Sequence, residues 1–138
     1  MYDSLLGTIA VASSGLKAQG LRMRVVAENV ANANSTASVP GGDPYRRKTI
    51  TFEAELDRSI GASLVDVKSI GVDRSLFKQV YNPNHPAADE AGYVKMPNVS
   101  TLIEMADMRE ATRAYEANLN MVEQARSMLM RTTDLIRR

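Results

Sequence analysis

The N-terminal region reads LLGTIAVASSGLKAQGLRMRVVAENV over residues 5–30, with side chains that recur every seven residues in two interleaved rows. The rows are Ile9, Leu16, Met23 and Val30, beside Leu5, Ala12, Gln19 and Val26. Alternating steps of three and four residues place both rows on one face of a helix, in the pattern that knobs-into-holes packing requires. Three glycines lower the helix propensity, so we expect this helix to order fully only when it packs against another surface. Its predicted end lies in the asparagine-rich segment 32–35, before the Pro and Gly residues of 40–44.

A second helical pattern starts after Pro97, where Thr101 and Glu104 have the spacing of a capping box. Its rows are Met108, Tyr115, Val122, Leu129 and Ile136, with Ala111, Asn118, Ala125 and Thr132 as companions. At about 1.5 Å per residue this helix is about 55 Å long, which exceeds a compact globule of this size. A polar residue in such a row, here Asn118, typically fixes the register of packing at a cost in stability.

The residues between the two helical patterns read as a small β element. Segments 46–56 and 64–72 alternate in polarity, and the turn-rich 82–86 precedes a return strand near 92–94. The predicted fold is therefore mainly α with a small β insertion, its two long terminal helices packed as an antiparallel coiled coil. The predicted domains are a discontinuous helical rod domain, residues 1–36 and 99–138, and a β-rich middle segment, residues 37–98.

Composition excludes several classes of function. The chain has 17 Lys and Arg against 16 Asp and Glu, with both signs interspersed, so it lacks the basic face that a nucleic-acid partner requires. The absence of cysteine excludes disulfides and thiolate metal sites. The apolar stretch 5–16 follows no basic region, so we expect it to belong to the mature chain and not to a cleaved signal peptide. No window approaches the roughly 18 to 20 apolar residues that span a bilayer.

No arrangement of residues indicates catalysis. His85, the single histidine, lies in a predicted turn, and Asp89 and Glu90 would make it only a weak metal site. Adjacent acids in a loop are usually solvated, and no nucleophile or base is signalled. We predict no catalytic, cofactor-binding or metal-binding residue and no small-molecule substrate.

The basic triplet 46–48 is the strongest local charge feature. The acidic residues Glu53, Glu55 and Asp57 follow closely, and we expect them to partner or screen it. The triplet therefore predicts neither a nucleic-acid nor a headgroup site.

The second helix is rich in methionine, at Met105, Met108, Met121, Met128 and Met130. We expect Met108 and Met121 to pack in the core. Met105 and Met130 lie off the main row, so they are candidates for contacts with neighbouring subunits.

Both ends of the chain carry signature segments. Residues 14–18 read SGLKA, Arg22 follows four residues on, residues 27–36 read AENVANANST, and residues 113–118 read RAYEAN. These segments resemble the N- and C-terminal signatures of the flagellar rod, hook and hook-associated proteins. Segments 44–48 and 82–99, and the short length, are similar to those of proximal-rod members.

The resemblance, with the heptad row of the second helix, implies assembly roles for two sets of residues. They are Ser14, Gly15, Leu16, Ala18, Arg22, Ala27, Asn29, Val30, Ala31, Asn32 and Thr36 at one end, and Arg113, Tyr115, Glu116, Asn118, Val122, Leu129 and Ile136 at the other. The implied function is that of a structural subunit of the basal-body rod, which transmits torque from the membrane ring to the distal rod and hook.

The resemblance also implies partners and a location. The partners are further copies in a helical rod, the rod proteins FlgB, FlgF and FlgG, the adaptor FliE and the flagellar type III export apparatus. The location is the periplasm-spanning rod, reached from the cytoplasm without a cleaved signal. No cofactor is implied.

Two other classes of function compete with the structural one. A soluble coiled-coil export chaperone or adaptor would use the same helical faces to hold another protein, and would stay in the cytosol. An enzyme, such as a cell-wall hydrolase, would use Asp89 or Glu90.

Overall fold

The computed structural model describes residues 2–137. Within this range the elements are helix α1 (Tyr2–Ala31), strands β1 (Lys48–Asp57), β2 (Ala62–Val72), β3 (Lys78–Tyr81) and β4 (Tyr93–Met96), and helix α2 (Thr101–Arg137). The two predicted terminal helices are confirmed.

Helix α1 ends where asparagine interrupts the apolar pattern. The Asn32 backbone N–H and side-chain amide both donate to the Glu28 carbonyl, at 3.0 and 2.9 Å. Such local bonds satisfy the last carbonyls and offer the backbone an alternative to further helix.

Helix α2 begins with a bond from the Glu104 N–H to the Ser100 carbonyl, at 3.0 Å. The Glu104 side chain does not return to the helix start, as a capping box requires. It is fully buried and is bonded to Asn29 and Arg47. The capping-box prediction is therefore wrong, because the carboxylate has stronger partners elsewhere.

Two sheets of two strands each occupy the middle of the chain. Strands β1 and β2 are joined by four residues, a connection that only an antiparallel pair allows. Strands β3 and β4 pair antiparallel, with Lys78 opposite Met96 and Tyr81 opposite Tyr93. Gly92 precedes β4 with φ +86°, and a Cβ there would lie 2.8 Å from the Tyr81 ring. This turn therefore requires glycine.

The chain folds as two compact units. Among the described residues, the first unit comprises 2–23, 51–69 and 109–137, and the second comprises 24–50 and 70–108. The buried apolar residues of the first unit are alanines: Ala12, Ala18, Ala111 and Ala125. Those of the second are Val25, Val26, Ala87, Val94 and Val99, together with the buried polar residues Asn29 and Glu104. The predicted division at residues 36 and 99 stays a prediction.

The predicted fold class is wrong in its balance of elements. About half of the described residues are helical and about a fifth are in strands, so this is an α and β fold and not a mainly α one. The alternating segments 46–56 and 64–72 form the long strands β1 and β2, of 10 and 11 residues.

The predicted antiparallel coiled coil is also wrong. Such packing needs apolar rows that interlock along both helices. Instead, in the first unit α1 approaches α2 through Gly15 and Asn118, and in the second unit the link is a hydrogen bond between Asn29 and Glu104. Ile136, the last member of the predicted row, is 79% exposed. Heptad periodicity indicates which face of a helix is apolar, but it does not indicate which residues pack against that face.

Candidate functional site

The two signature segments meet in the first unit, at Gly15 of α1 and Asn118 of α2. A Cβ on Gly15 would lie 2.6 Å from Asn118 Nδ2 and 2.9 Å from Oδ1. Glycine at this position therefore lets the Asn118 amide lie directly against the α1 backbone. Nearby, the Ser14 hydroxyl donates to the Val11 carbonyl at 2.7 Å and accepts the Val65 N–H at 3.1 Å, which ties β2 to α1.

We expect Gly15→Ala to lower the free energy of unfolding by about 1 kcal/mol, because overpacking against Asn118 outweighs the gain in helix propensity. In an Asn118→Ala background the same change should instead stabilise by up to about 1 kcal/mol, since the obstacle is gone. Gly20→Ala is the control, because a Cβ at Gly20 meets no atom within 4 Å, and it should stabilise both backgrounds. Urea denaturation measures the cycle. If Gly15→Ala changed the free energy of unfolding by the same amount in both backgrounds, this result would contradict the close approach of Gly15 and Asn118.

Asn29 of the N-terminal signature is the centre of a polar cluster in the second unit. It is 1% exposed. Its amide donates to the Lys48 carbonyl at 2.9 Å, and its oxygen accepts the Lys48 N–H at 2.9 Å and the Tyr45 hydroxyl at 2.7 Å. The side chain thus pairs with both backbone groups of the first residue of β1, as a neighbouring strand would.

The buried Glu104 and the half-buried Arg47 form a charge pair beside Asn29. Arg47 Nε donates to Glu104 Oε1, and Asn29 Nδ2 donates to Glu104 Oε2 at 3.3 Å. The guanidinium also lies 3.6 Å from Asp73 Oδ2 and 3.5 Å from Asp107 Oδ2. The bond to Glu104 raises the pKa of Arg47, and three surrounding carboxylates keep the group charged.

The segment that carries Arg47 is fixed by its backbone as well. The Arg47 N–H donates to Asn98 Oδ1 at 2.8 Å, and the Asp73 N–H donates to the Arg47 carbonyl at 2.8 Å.

Lys48 Nζ donates to Glu28 Oε2 at 2.8 Å, which lowers the pKa of Glu28 and raises that of Lys48. Burial raises the pKa of the Tyr45 phenol.

The basic triplet therefore has different partners from those predicted. Arg47 and Lys48 bind Glu28, Asp73 and Glu104, not the acids of 53–57. Arg46 lies over the Phe77 ring, 4.3 Å from its centroid. The sequence carried no signal for these partners, because they lie 20 to 57 residues away along the chain.

The remaining N-terminal signature residues differ in their surroundings. Arg22 lies 3.4 Å from Glu110, whose side chain is largely exposed, and an ion pair in contact with water contributes little to stability. Ala18 is buried, Leu16, Val30, Asn32 and Thr36 are half-buried, and Ala27 and Ala31 are exposed. The structure brings Gly15 and Asn29 into contacts within the subunit, while an assembly role for the whole set stays a prediction.

The C-terminal signature residues lie along one helix. Tyr115, Asn118, Val122 and Leu129 are half-buried, whereas Arg113, Glu116 and Ile136 are exposed. Helix α2 also exposes Leu102, Ile103, Met105, Leu119, Met121, Met128, Met130 and Leu135. Met121, expected in the core, is about half exposed, while Met108 is half-buried.

A pocket of about 560 Å³ lies in the first unit, between the start of α1, the β1–β2 turn and the middle of α2. It is lined by Asp3, Ser4, Gly7, Thr8, Val11, Ala12, Ile60, Ala62, Ala117, Asn118 and Met121. Among the lining residues that the structure describes, no pair of groups is suited to acid–base or nucleophilic chemistry.

Two of the three residues considered for chemistry have structural roles, while the third, Glu90, is exposed. His85 Nδ1 accepts the Ala87 N–H at 3.0 Å, and Asp89 Oδ1 accepts the Tyr93 N–H at 2.9 Å. Both side chains thus stabilise the turn before β4. Over residues 2–137, no three His, Asp or Glu side chains converge as metal ligands.

Neither α1 nor α2, over the described residues, combines the length and apolarity needed to cross a bilayer.

Comparison with known proteins identifies the class first. Residues 9–37 match the family of flagella basal body rod proteins, and residues 90–135 match the C-terminal family of flagellar basal body rod FlgEFG proteins. A chain that matches these families towards both of its ends is a structural protein of the flagellar rod class.

Full-length relatives define the family within that class. The chain is 54% identical to the flagellar basal-body rod protein FlgC of Agrobacterium fabrum, over 98% of this chain and 97% of the relative. It is 42% identical to FlgC of Borreliella burgdorferi, over 90% and 92%, and 39% identical to FlgC of Salmonella typhimurium, over 96% and 98%. The chain belongs to the FlgC family of flagellar basal-body rod proteins.

Family membership decides between the competing functions. The chain is a structural rod protein of the flagellar basal body and not an enzyme, and it assembles into the rod with other flagellar components. The prediction of a structural rod subunit is confirmed, and the chaperone or adaptor alternative is unsupported.

Proposed function

We propose that the chain is a subunit of the proximal rod, where it helps to transmit torque from the membrane ring to the distal rod and hook. The observation that carries this proposal is the exposed apolar surface of α2. Met121, Met128 and Leu135 follow one another at intervals of seven residues and are 48 to 70% exposed, and the neighbouring Ile136 is 79% exposed. An apolar stripe of this length on a single subunit is typical of a surface that a partner covers.

The proposed partners are further copies of the chain, the rod proteins FlgB, FlgF and FlgG, and the adaptor FliE. They follow from the resemblance of the two signature segments to those of the axial family. The same resemblance supports export by the flagellar type III apparatus without a cleaved signal, and a final position in the periplasm-spanning rod.

The polar cluster has a mechanical role in this proposal. Asn29, Arg47 and Glu104 tie residues 45–48 to both helices inside the second unit, through bonds that are largely shielded from water. Buried polar networks with satisfied partners hold a unique arrangement. A subunit that transmits torque needs segments that keep a fixed arrangement under load.

We expect Ile136→Asp to abolish swimming and to remove the chain from purified basal bodies, because a charge enters a surface that a neighbour must cover. Since Ile136 is 79% exposed in the subunit, the unfolding transition of the purified chain should not change. Ser127→Asp is the matched control, because it adds the same charge at an exposed position on the opposite side of α2. Soft-agar motility and immunoblots of basal bodies measure the effect. Normal swimming and incorporation of Ile136→Asp would contradict the proposal.

Hydrogen exchange gives an independent measurement. The last turns of α2 should exchange rapidly in the free subunit and slowly in the assembled rod. Equal protection in both states would mean that no neighbour covers this end of the helix.

A further inference from the structure

Leu76 is the most exposed large apolar side chain among the described residues, at 95%. Both of its neighbours are held in place. Asn98 Nδ2 donates to the Ser75 carbonyl at 3.3 Å and to its hydroxyl at 3.1 Å, and the Phe77 ring lies under Arg46. A leucine presented in this way offers a partner apolar area with little further loss of loop entropy.

The surroundings of Leu76 are basic. Arg74 and Lys78, two residues to either side, are both exposed. The nearby Asp73 does not neutralise them, because its carboxylate faces Arg47 at 3.6 Å. Leu76 is therefore an apolar knob with two cations beside it.

The pocket of the first unit has the complementary character. Gly7 lies in its lining, and a Cβ built on Gly7 meets no atom within 4 Å, so the space above this residue is open. Val11, Ile60 and Met121 supply apolar surface. Asp3 carries the only charge among the lining residues that the structure describes, and that charge is negative.

We propose that Leu76 of one copy inserts into this pocket on a second copy, with Arg74 and Lys78 facing Asp3. The inference rests on the proposed function as a polymer subunit and names one of its contacts. Knob and pocket consist of different residues, in different units of the chain. In a polymer the contact would be heterologous, the kind that builds rings or helical rods.

The charges distinguish Leu76 from Leu135, an exposed leucine near the end of α2. Leu135 is 70% exposed, but Asp134 precedes it and would bring a second carboxylate towards Asp3. Leu76 brings two cations instead. Charge complementarity of this kind selects the partner and fixes the orientation of docking.

Cysteine cross-linking tests the contact directly, because the chain has no cysteine of its own. Chains with Gly7→Cys and chains with Leu76→Cys are expressed together in a flagellated strain that lacks the resident chain, and basal bodies are purified under mild oxidation. We expect a cross-linked dimer as a major product, since a disulfide forms only when the two Cα atoms lie within about 7 Å.

Gly20→Cys paired with Leu76→Cys is the matched control. Gly20 is also a glycine of α1 with open space around a new Cβ, but it does not line the pocket. The control pair should give about tenfold less product, because its cysteines stay beyond disulfide reach. Equal yields, or no product from the Gly7 pair in basal bodies that contain both chains, would overturn the inference; the latter result would mean that another rod protein or the end of α2 fills the pocket.

A second pair of variants blocks the pocket without cysteine chemistry. Gly7→Leu fills the open space and should leave the unfolding transition of the purified chain intact, while its incorporation into basal bodies falls about tenfold, as the loss of one buried anchor predicts. Gly20→Leu should assemble normally. Normal assembly of Gly7→Leu would also overturn the inference.

Failure of the proposed function has a different signature. In that case the unmodified chain itself is missing from basal bodies. The cross-linking of the two cysteine pairs is then compared in mixtures of the purified chains at high concentration. Equal yields of cross-linked dimer from the two pairs would be sufficient to overturn the proposed contact.

Discussion

Replacing Arg47 by methionine is expected to lower the free energy of unfolding by about 3 kcal/mol. The change leaves the Glu104 carboxylate, which has no exposed surface, without its cation. Breaking a buried ion pair by removing one partner typically costs about 3 to 5 kcal/mol, because a buried charge remains uncompensated. The lower end applies here, since the Arg47 side chain is 24% exposed and water screens part of the interaction.

Two further variants make this measurement specific. Arg46→Met removes the adjacent guanidinium, which lies on the Phe77 ring, and should cost no more than about 1 kcal/mol. Adding Glu104→Gln to Arg47→Met should restore about 1 kcal/mol or more, because the buried group is then neutral and still accepts from Asn29. Urea denaturation of the purified full-length chain measures all three. Equal costs at residues 46 and 47, or no recovery in the double variant, would contradict the buried pair.

Replacing Asn29 by alanine is expected to cost about 3 kcal/mol as well. The change leaves both backbone groups of Lys48 and the Tyr45 hydroxyl without their partner. Each buried polar group left unsatisfied costs about 1 to 3 kcal/mol. Asn29→Asp should be at least as harmful, because it removes the donor and places a second carboxylate beside Glu104.

The local measurement for Asn29 is hydrogen exchange at Lys48. In Asn29→Ala the Lys48 amide should lose its protection, since Asn29 Oδ1 is its acceptor. Asn34→Ala is the control, because Asn34 is an exposed asparagine of the same signature segment. Retained protection at Lys48, or an equal loss of stability in the control, would show that Asn29 does not hold the start of β1.

Asn29 and Glu104 show why part of the site escaped sequence reasoning. The family signature implies an assembly role for Asn29, yet its bonds in the structure lie within the subunit. Glu104 has capping-box spacing, and its fully buried carboxylate instead binds groups 57 and 75 residues away. The spacing of two residues in the sequence indicates which contacts a side chain can make within one helical turn. It does not indicate which distant residues folding brings close to that side chain.

The first unit shows the same limit for packing. Heptad rows predicted interlocking aliphatic side chains, but the buried apolar residues there are alanines and the close contact is between Gly15 and Asn118. Small residues let the backbones of α1 and α2 approach, whereas larger members of the rows, such as Met23 and Val122, are only half-buried. The heptad periodicity indicated the faces through which α1 and α2 meet, but it did not indicate which side chains make the contact.

The sequence by itself determined the two terminal helices, their approximate ends and the class of protein. Helical periodicity and end signals are local properties, and the signature segments at 14–36 and 113–118 can be read without a structure. Only the tertiary structure decided the share of β-strand, the contacts by which α1 meets α2, and the cluster that joins Asn29, Arg47 and Glu104. These features depend on contacts between residues that are far apart in the sequence and that folding brings together away from water. Where folding does not bring such partners close, the same types of residue are solvated.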